Sequence, residues 1–234
     1  MSHATRHTAD VMEAAVEHVP QSTVRKSAGA KPRSTPNLFW YTTSGSAQDA
    51  FVSWVIAHAD CEDKPALQLT ARQLIAYFWS RARLDEPLLG SPEVEESDSD
   101  VPAAEEIELL TRPVLQYQGI DIMFVASVRG EPWVFLVSDQ AETTEHPEPL
   151  ADRLDAAMAY AEKQLGSRNV VPVYLKTGYV YGSDLAAEKV GYHVVDAEVL
   201  SELLDAHPRA REESDVFRDF SRQLHNGIAQ QTLG

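Results

Sequence analysis

Apolar positions along this chain follow two different periods. From Ile120 to Val128, and again from Trp133 to Val137, β-branched and aromatic residues run almost without a break, and Arg129-Gly130-Glu131-Pro132 between them supplies a turn. The pair predicts a hairpin whose strands are apolar on both faces, as strands covered from two sides are. Pro113 to Tyr117 predicts a strand before it, and Val170 to Leu175 and Tyr192 to Val195 predict two more after it. Elsewhere the spacing is helical. Ala47, Ala50, Phe51, Trp54, Val55 and His58 form one stripe, started by a variant capping box at Ser46 and Asp49. A second helix is expected from a box at Thr70 and Gln73, with Leu74, Tyr77, Phe78 and Arg81 on its packed side. Leu150, Leu154, Ala157, Met158, Ala161 and Leu165 mark a third, stopped by Gly166, and Ser183 to Val190 a short fourth before Gly191. Two helices finish the chain. Asp196 caps one that carries Val199, Leu200, Leu203 and Leu204, and Ser214 caps the other with Val216, Phe217, Phe220 and Leu224. The order αβββαβ predicts an α/β fold, a sheet with helices packed on it.

Charge divides the chain unevenly. Residues 1–36 hold five bases and three acids within a Ser, Lys, Pro and Gly-rich composition, and read as a flexible tail; the remaining residues carry −18 of a total of −16. Residues 37–234 then form a single domain, interrupted between about 84 and 111 by ten acids and no base, a solvated excursion. With 44% apolar residues the chain can bury one sizeable core. It has no run of eighteen apolar residues and no apolar signal core at its start, so a cytoplasmic protein without a membrane partner is expected. Cys61 is the single cysteine, which excludes an internal disulfide and a cysteine zinc cage. The acidic balance repels phosphate backbones, so DNA is disfavoured as a partner for the chain alone and another protein is the expected one.

Polar residues at the ends of the two apolar strands are the candidate chemistry. Asp121 interrupts the first strand at its start, and Ser138-Asp139-Gln140 ends the second. Side chains alternate across a sheet, so Ser138 and Gln140 share a face and Asp139 points to the other. Gln48 and Asp49 lie at the positive end of the first helix, which is expected to cover the face of Asp121, Ser138 and Gln140, and Asp49 also reads as a capping carboxylate.

These segments resemble the PD-(D/E)XK nuclease superfamily, and within it a bacterial group with a recognisable opening and ending. Phe39-Trp40-Tyr41-Thr42-Thr43-Ser44 with Gln48-Asp49-Ala50-Phe51 and Trp54 is similar to that group's first helix, and Ile120-Asp121-Ile122 to its second strand. Thr143-Thr144-Glu145-His146 resembles the Thr-Ser-Glu-His after its third strand, with His146 as a scaffold residue. Val173-Tyr174-Leu175-Lys176-Thr177-Gly178, Val190-Gly191-Tyr192 and Ser214-Asp215-Val216-Phe217-Arg218-Asp219-Phe220 extend the likeness over roughly residues 37–224.

The resemblance implies a restriction-endonuclease-like sandwich, a central mixed sheet flanked by helices, and a metal-dependent phosphodiesterase site. In such a site an Asp opens strand two and Glu-x-Lys ends strand three. The two carboxylates hold Mg²⁺, and the Lys positions water and neutralises developing charge. Asp121 matches, but the alignment sets Ser138 where the second ligand belongs, Gln140 at the Lys position and Pro149 at a Gln that the group often carries. Two readings follow. In one, nuclease chemistry is lost, no cofactor is needed, and the chain acts by binding in DNA processing or defence. In the other, it is an active endonuclease using Mg²⁺, with Asp121 joined by Glu142 or Glu145 from the loop and a migrated Lys163 or Lys176; Asp139 is a further carboxylate, though alternation aims it away.

Overall fold

A two-residue turn sets the centre of the sheet. In the computed structural model, which describes residues 47–84, 101–117, 120–139, 147–165, 169–176 and 185–232, strands β3 (Ile120–Val128) and β4 (Glu131–Asp139) pair antiparallel from Val128 opposite Glu131 to Ile122 opposite Val137. Arg129 and Gly130 both have positive φ, 53° and 83°. That is the signature of a type I′ turn, whose twist matches the strands it joins. The turn is thus shorter than the four residues expected, and Pro132 lies inside β4. Its missing N–H costs little there, because the strand beyond β4 joins only at Val134. A left-handed conformation at Arg129 is unfavourable by about 1 kcal/mol. Its guanidinium compensates by lying 5.4 Å from the centroid of the Trp79 ring and reaching Glu106 at 3.5 Å.

The edge beside β3 is one strand broken in two. Both β1 (Ile107–Leu109) and β2 (Val114–Tyr117) pair antiparallel with β3, and residues 110–113 between them face only Phe124 and Val125. Thr111 absorbs the mismatch. Its backbone N–H and that of Leu110 both donate to the Val125 carbonyl, and Val125 N–H donates to Thr111 Oγ1 at 2.8 Å. A side-chain oxygen fills the empty ladder position, as at an edge bulge. β1 lies in the acidic stretch that the sequence reads as solvated, yet Ile107 and Leu109 are buried while Glu108 between them is exposed. Three alternating positions suffice to seat that end of the stretch on the core.

On the other side β4 pairs parallel with β5 (Val170–Lys176), and β5 with β6 (His193–Asp196). The six-stranded sheet is therefore mixed, with order β1-β3-β4-β5-β6 and β2 also on β3. Helices cover both faces. Against one lie α1 (Ala47–Ile56), α2 (Pro65–Leu84), α5 (Ala197–Asp205) and α7 (Asp215–Thr232), packed on Ile122, Phe124, Phe135, Val137, Val173 and Val195. Against the other lies α3 (Pro147–Leu165), whose Leu150, Leu154, Ala157 and Ala161 meet Val134, Leu136 and Tyr174, with α4 (Leu185–Lys189) contributing Ala187. Short α6 (Ala210–Glu213) links the last two long helices.

Helix boundaries differ from expectation where a distant residue does the capping. α2 begins at Pro65, five residues before the expected box, so Thr70 lies inside the helix and its hydroxyl donates to the Ala66 carbonyl. The orphan amides of Ala66 and Leu67 go instead to the two carboxylate oxygens of Glu213, at 3.0 and 2.9 Å. Proline at the first helical position needs no such partner. Asp196 and Ser214 cap α5 and α7 as expected, accepting from Val199 and Phe217. Met158 and Val216, expected on buried stripes, are 44% and 39% exposed; each sits one residue, or about 100° of rotation, from the buried position beside it.

Candidate functional site

Register brings the two candidate strand positions together. One step beyond the Ile122–Val137 pair, Asp121 faces Ser138 across β3 and β4, and Ser138 in turn pairs with Tyr174 of β5. Opposite residues in neighbouring strands share a face, so Asp121, Ser138 and Tyr174 form a row. Leu136 and Tyr174 pack with α3, which identifies the face. Lys176, two residues beyond Tyr174 on β5, belongs to it as well.

Within the row the environments differ. Asp121 and Lys176 are half-buried, whereas Ser138 is 1% exposed and its Oγ has no hydrogen-bond partner among the described residues. Burying a hydroxyl without a partner costs on the order of 1–3 kcal/mol. Mg²⁺ requires near-octahedral oxygen ligation, supplied by carboxylates and water. One carboxylate beside a shielded serine does not meet that requirement. Among the described residues no three His, Cys, Asp or Glu side chains gather closely enough to hold a metal ion. The described donors at this place therefore do not fit Mg²⁺.

Other sequence candidates separate from this row. α3 leaves the end of β4 that carries Ser138 and runs back along the sheet, so Lys163 in its last turn lies roughly 20 Å of helix from the site end and is exposed. Gln48 is half-buried and Asp49 is buried, 4% exposed, on α1, which packs on the opposite face. The site face is covered by α3, not by the first helix. Asp139 occupies the alternate strand position, paired with Leu175. Gln140, Glu142, Glu145 and His146 lie outside the described residues, as does Pro149's side chain.

Packing adds two polar features, His58 on the expected stripe of the first helix and a cleft at the far end of the chain. His58 is fully buried in a 3₁₀ turn after α1, its Nδ1 2.8 Å from the Trp54 carbonyl and its ring 4.5 Å from that of Trp54. Burial lowers its pKa from 6.5 to about 4, outweighing that hydrogen bond, so the ring is neutral in the fold. A cleft of about 470 Å³ opens between α5 and α7, lined by Glu198, Ser201, Glu202, Asp205, His225 and Ile228 among others. Sequence spacing within α5 puts its three acids on adjacent turns, but nothing in the pattern brings His225 to them.

Comparison of the chain with protein-family models, curated proteins and solved structures finds no match. What the coordinates define is an α/β protein with a mixed, open six-stranded sheet flanked by helices. No helix among the described residues is long and apolar enough to cross a membrane.

Proposed function

We propose that this chain is a PD-(D/E)XK nuclease-like protein that has lost nuclease chemistry and acts by binding, recruited through another protein to bacterial DNA processing or defence. The observation that supports this reading is the β3–β4 register, which one step past Ile122 and Val137 sets Asp121 opposite Ser138. A carboxylate opens β3 as the nuclease motif requires, and the position across from it holds a serine shielded from solvent, with no cluster of three metal-ligating side chains among the described residues. A lone carboxylate cannot assemble the charge needed to bind Mg²⁺ and stabilise a phosphoryl transition state.

The alternative is an active endonuclease with a rearranged site. One observation favours it: Lys176 shares the sheet face of Asp121, whereas Lys163 does not approach it. Lys176 would then supply the charge missing at Gln140.

Purified protein incubated with plasmid, single-stranded DNA and RNA in Mg²⁺ or Mn²⁺ decides between them. No cleavage above background is the expected result. Cleavage abolished by Asp121→Ala, and reduced by Lys176→Gln, would overturn the binding-only reading and establish the alternative.

A further inference from the structure

Three helices converge on Asp205 at the end of α5. Its Oδ1 accepts from Arg211 of α6, and its Oδ2 lies 2.9 Å from His225 Nε2 on α7. The other ring nitrogen, Nδ1, lies 2.7 Å from the Ser221 carbonyl. Both nitrogens of His225 thus face acceptors. A neutral imidazole has one N–H and turns a lone pair on one of the two, whereas the imidazolium donates to both. Ser201 Oγ stands beside the ring, 3.3 Å from Nε2 and 3.5 Å from Nδ1, farther from each than the Asp205 carboxylate and the Ser221 carbonyl are.

From this geometry we infer that His225 is a proton-dependent clamp that fastens α7 onto α5 and releases it when the imidazolium loses a proton. The charged groups around it are Glu198, Glu202 and Asp205 from α5, which line the same cleft, and Arg211 from α6. On α7 itself Arg218 and Arg222, seven and three residues before His225, are engaged with Asp219. His207 in the α5–α6 connection is the nearest other histidine in sequence; partial burial lowers its pKa. It and buried His58 disfavour the fold in acid, opposite in sign to the clamp, so slower exchange in acid cannot come from either of them.

The test is native-state hydrogen exchange of the full chain at about pH 5.5 and about pH 8, the span over which histidines change charge. After correction for intrinsic rates, amides from Leu224 to Thr232 should exchange about threefold to fivefold more slowly in acid, the range of a partly exposed ion pair. Asp205→Asn should remove that difference, and His225→Gln should remove it independently should the first variant fold poorly. Equal protection at both pH values in the unmodified chain overturns the inference. So does a pH dependence that survives either substitution, because another group would then be responsible.

Discussion

Removing the Glu213 carboxylate should unfasten the start of α2 from a position 146 or more residues away in sequence. The wild-type helix has no capping side chain of its own: Lys64 precedes Pro65, and the Lys64 amine donates instead to the Glu213 carbonyl at 2.9 Å. Glu213 therefore supplies two acceptors and a negative charge at the positive end of a 20-residue helix. An N-cap is worth about 1 kcal/mol, and a partly buried charge at a helix N-terminus adds between about 0.3 and 2 kcal/mol. Glu213→Ala should cost about 2 kcal/mol, and Glu213→Gln, which keeps one acceptor and loses the charge, about 1 kcal/mol. In a domain of this size about 2 kcal/mol lowers the melting temperature by about 4–8 °C. Denaturant unfolding with an unchanged slope is the assay, and Glu212→Ala, at an exposed neighbour, is the control expected within about 0.5 kcal/mol of wild type. A Glu213→Ala protein as stable as that control would refute the cross-chain cap.

Acid should destabilise the fold through His58. Its folded pKa of about 4 lies below the unfolded value of 6.5, so stability is full above pH 6.5, falls as only the unfolded chain takes up the proton, and levels off below about pH 4. The loss approaches about 3 kcal/mol over that window; in His58→Gln this slope should disappear from the pH dependence of the unfolding free energy, and its persistence would assign it to other groups. Ser138→Ala should leave stability unchanged or raise it by up to about 1 kcal/mol, because it deletes a buried hydroxyl without a partner among the described residues. Destabilisation by more than about 1 kcal/mol in denaturant unfolding would mean that the hydroxyl is engaged.

Strands and most helices were legible because their apolar period is set by local geometry. Ile120 to Val128 reads as a strand covered on both sides, and it lies in the sheet's interior with cores on each face. β1 was hidden for the opposite reason. Three residues with a glutamate in the middle carry too little period to detect inside a run of acids, and their burial depends on pairing with Ala126 to Val128 of β3. The start of α2 was misplaced because a local capping signal at Thr70 and Gln73 competed with a remote one. Local rules find the nearest hydroxyl, whereas the fold uses Glu213. The hairpin was shortened similarly: Pro132 looks like turn chemistry, but a strand position with no second neighbour accepts it.

For the site, strand alternation carried the inference further than residue identity. It required Asp121 and Ser138 to share a face if β3 and β4 paired in this register, and the register, carried one step past Ile122 opposite Val137, sets them opposite each other. Which helix covers that face was beyond its reach, since alternation distinguishes two faces without saying which is which. The answer came from the connection β4–α3–β5, which lays α3 over Leu136 and Tyr174 and carries Lys163 to the far end. That connection also separates the two candidate lysines. A lysine on the crossover helix moves away from the strand end with every turn, while Lys176, on the parallel strand two residues past Tyr174, returns to it. Parallel pairing after a crossover brings successive strand ends to the same edge of a sheet. On the proposal of a rearranged nuclease site, a lysine standing in for Gln140 is therefore geometrically simplest on β5, and the Lys176→Gln arm of the cleavage assay addresses that position.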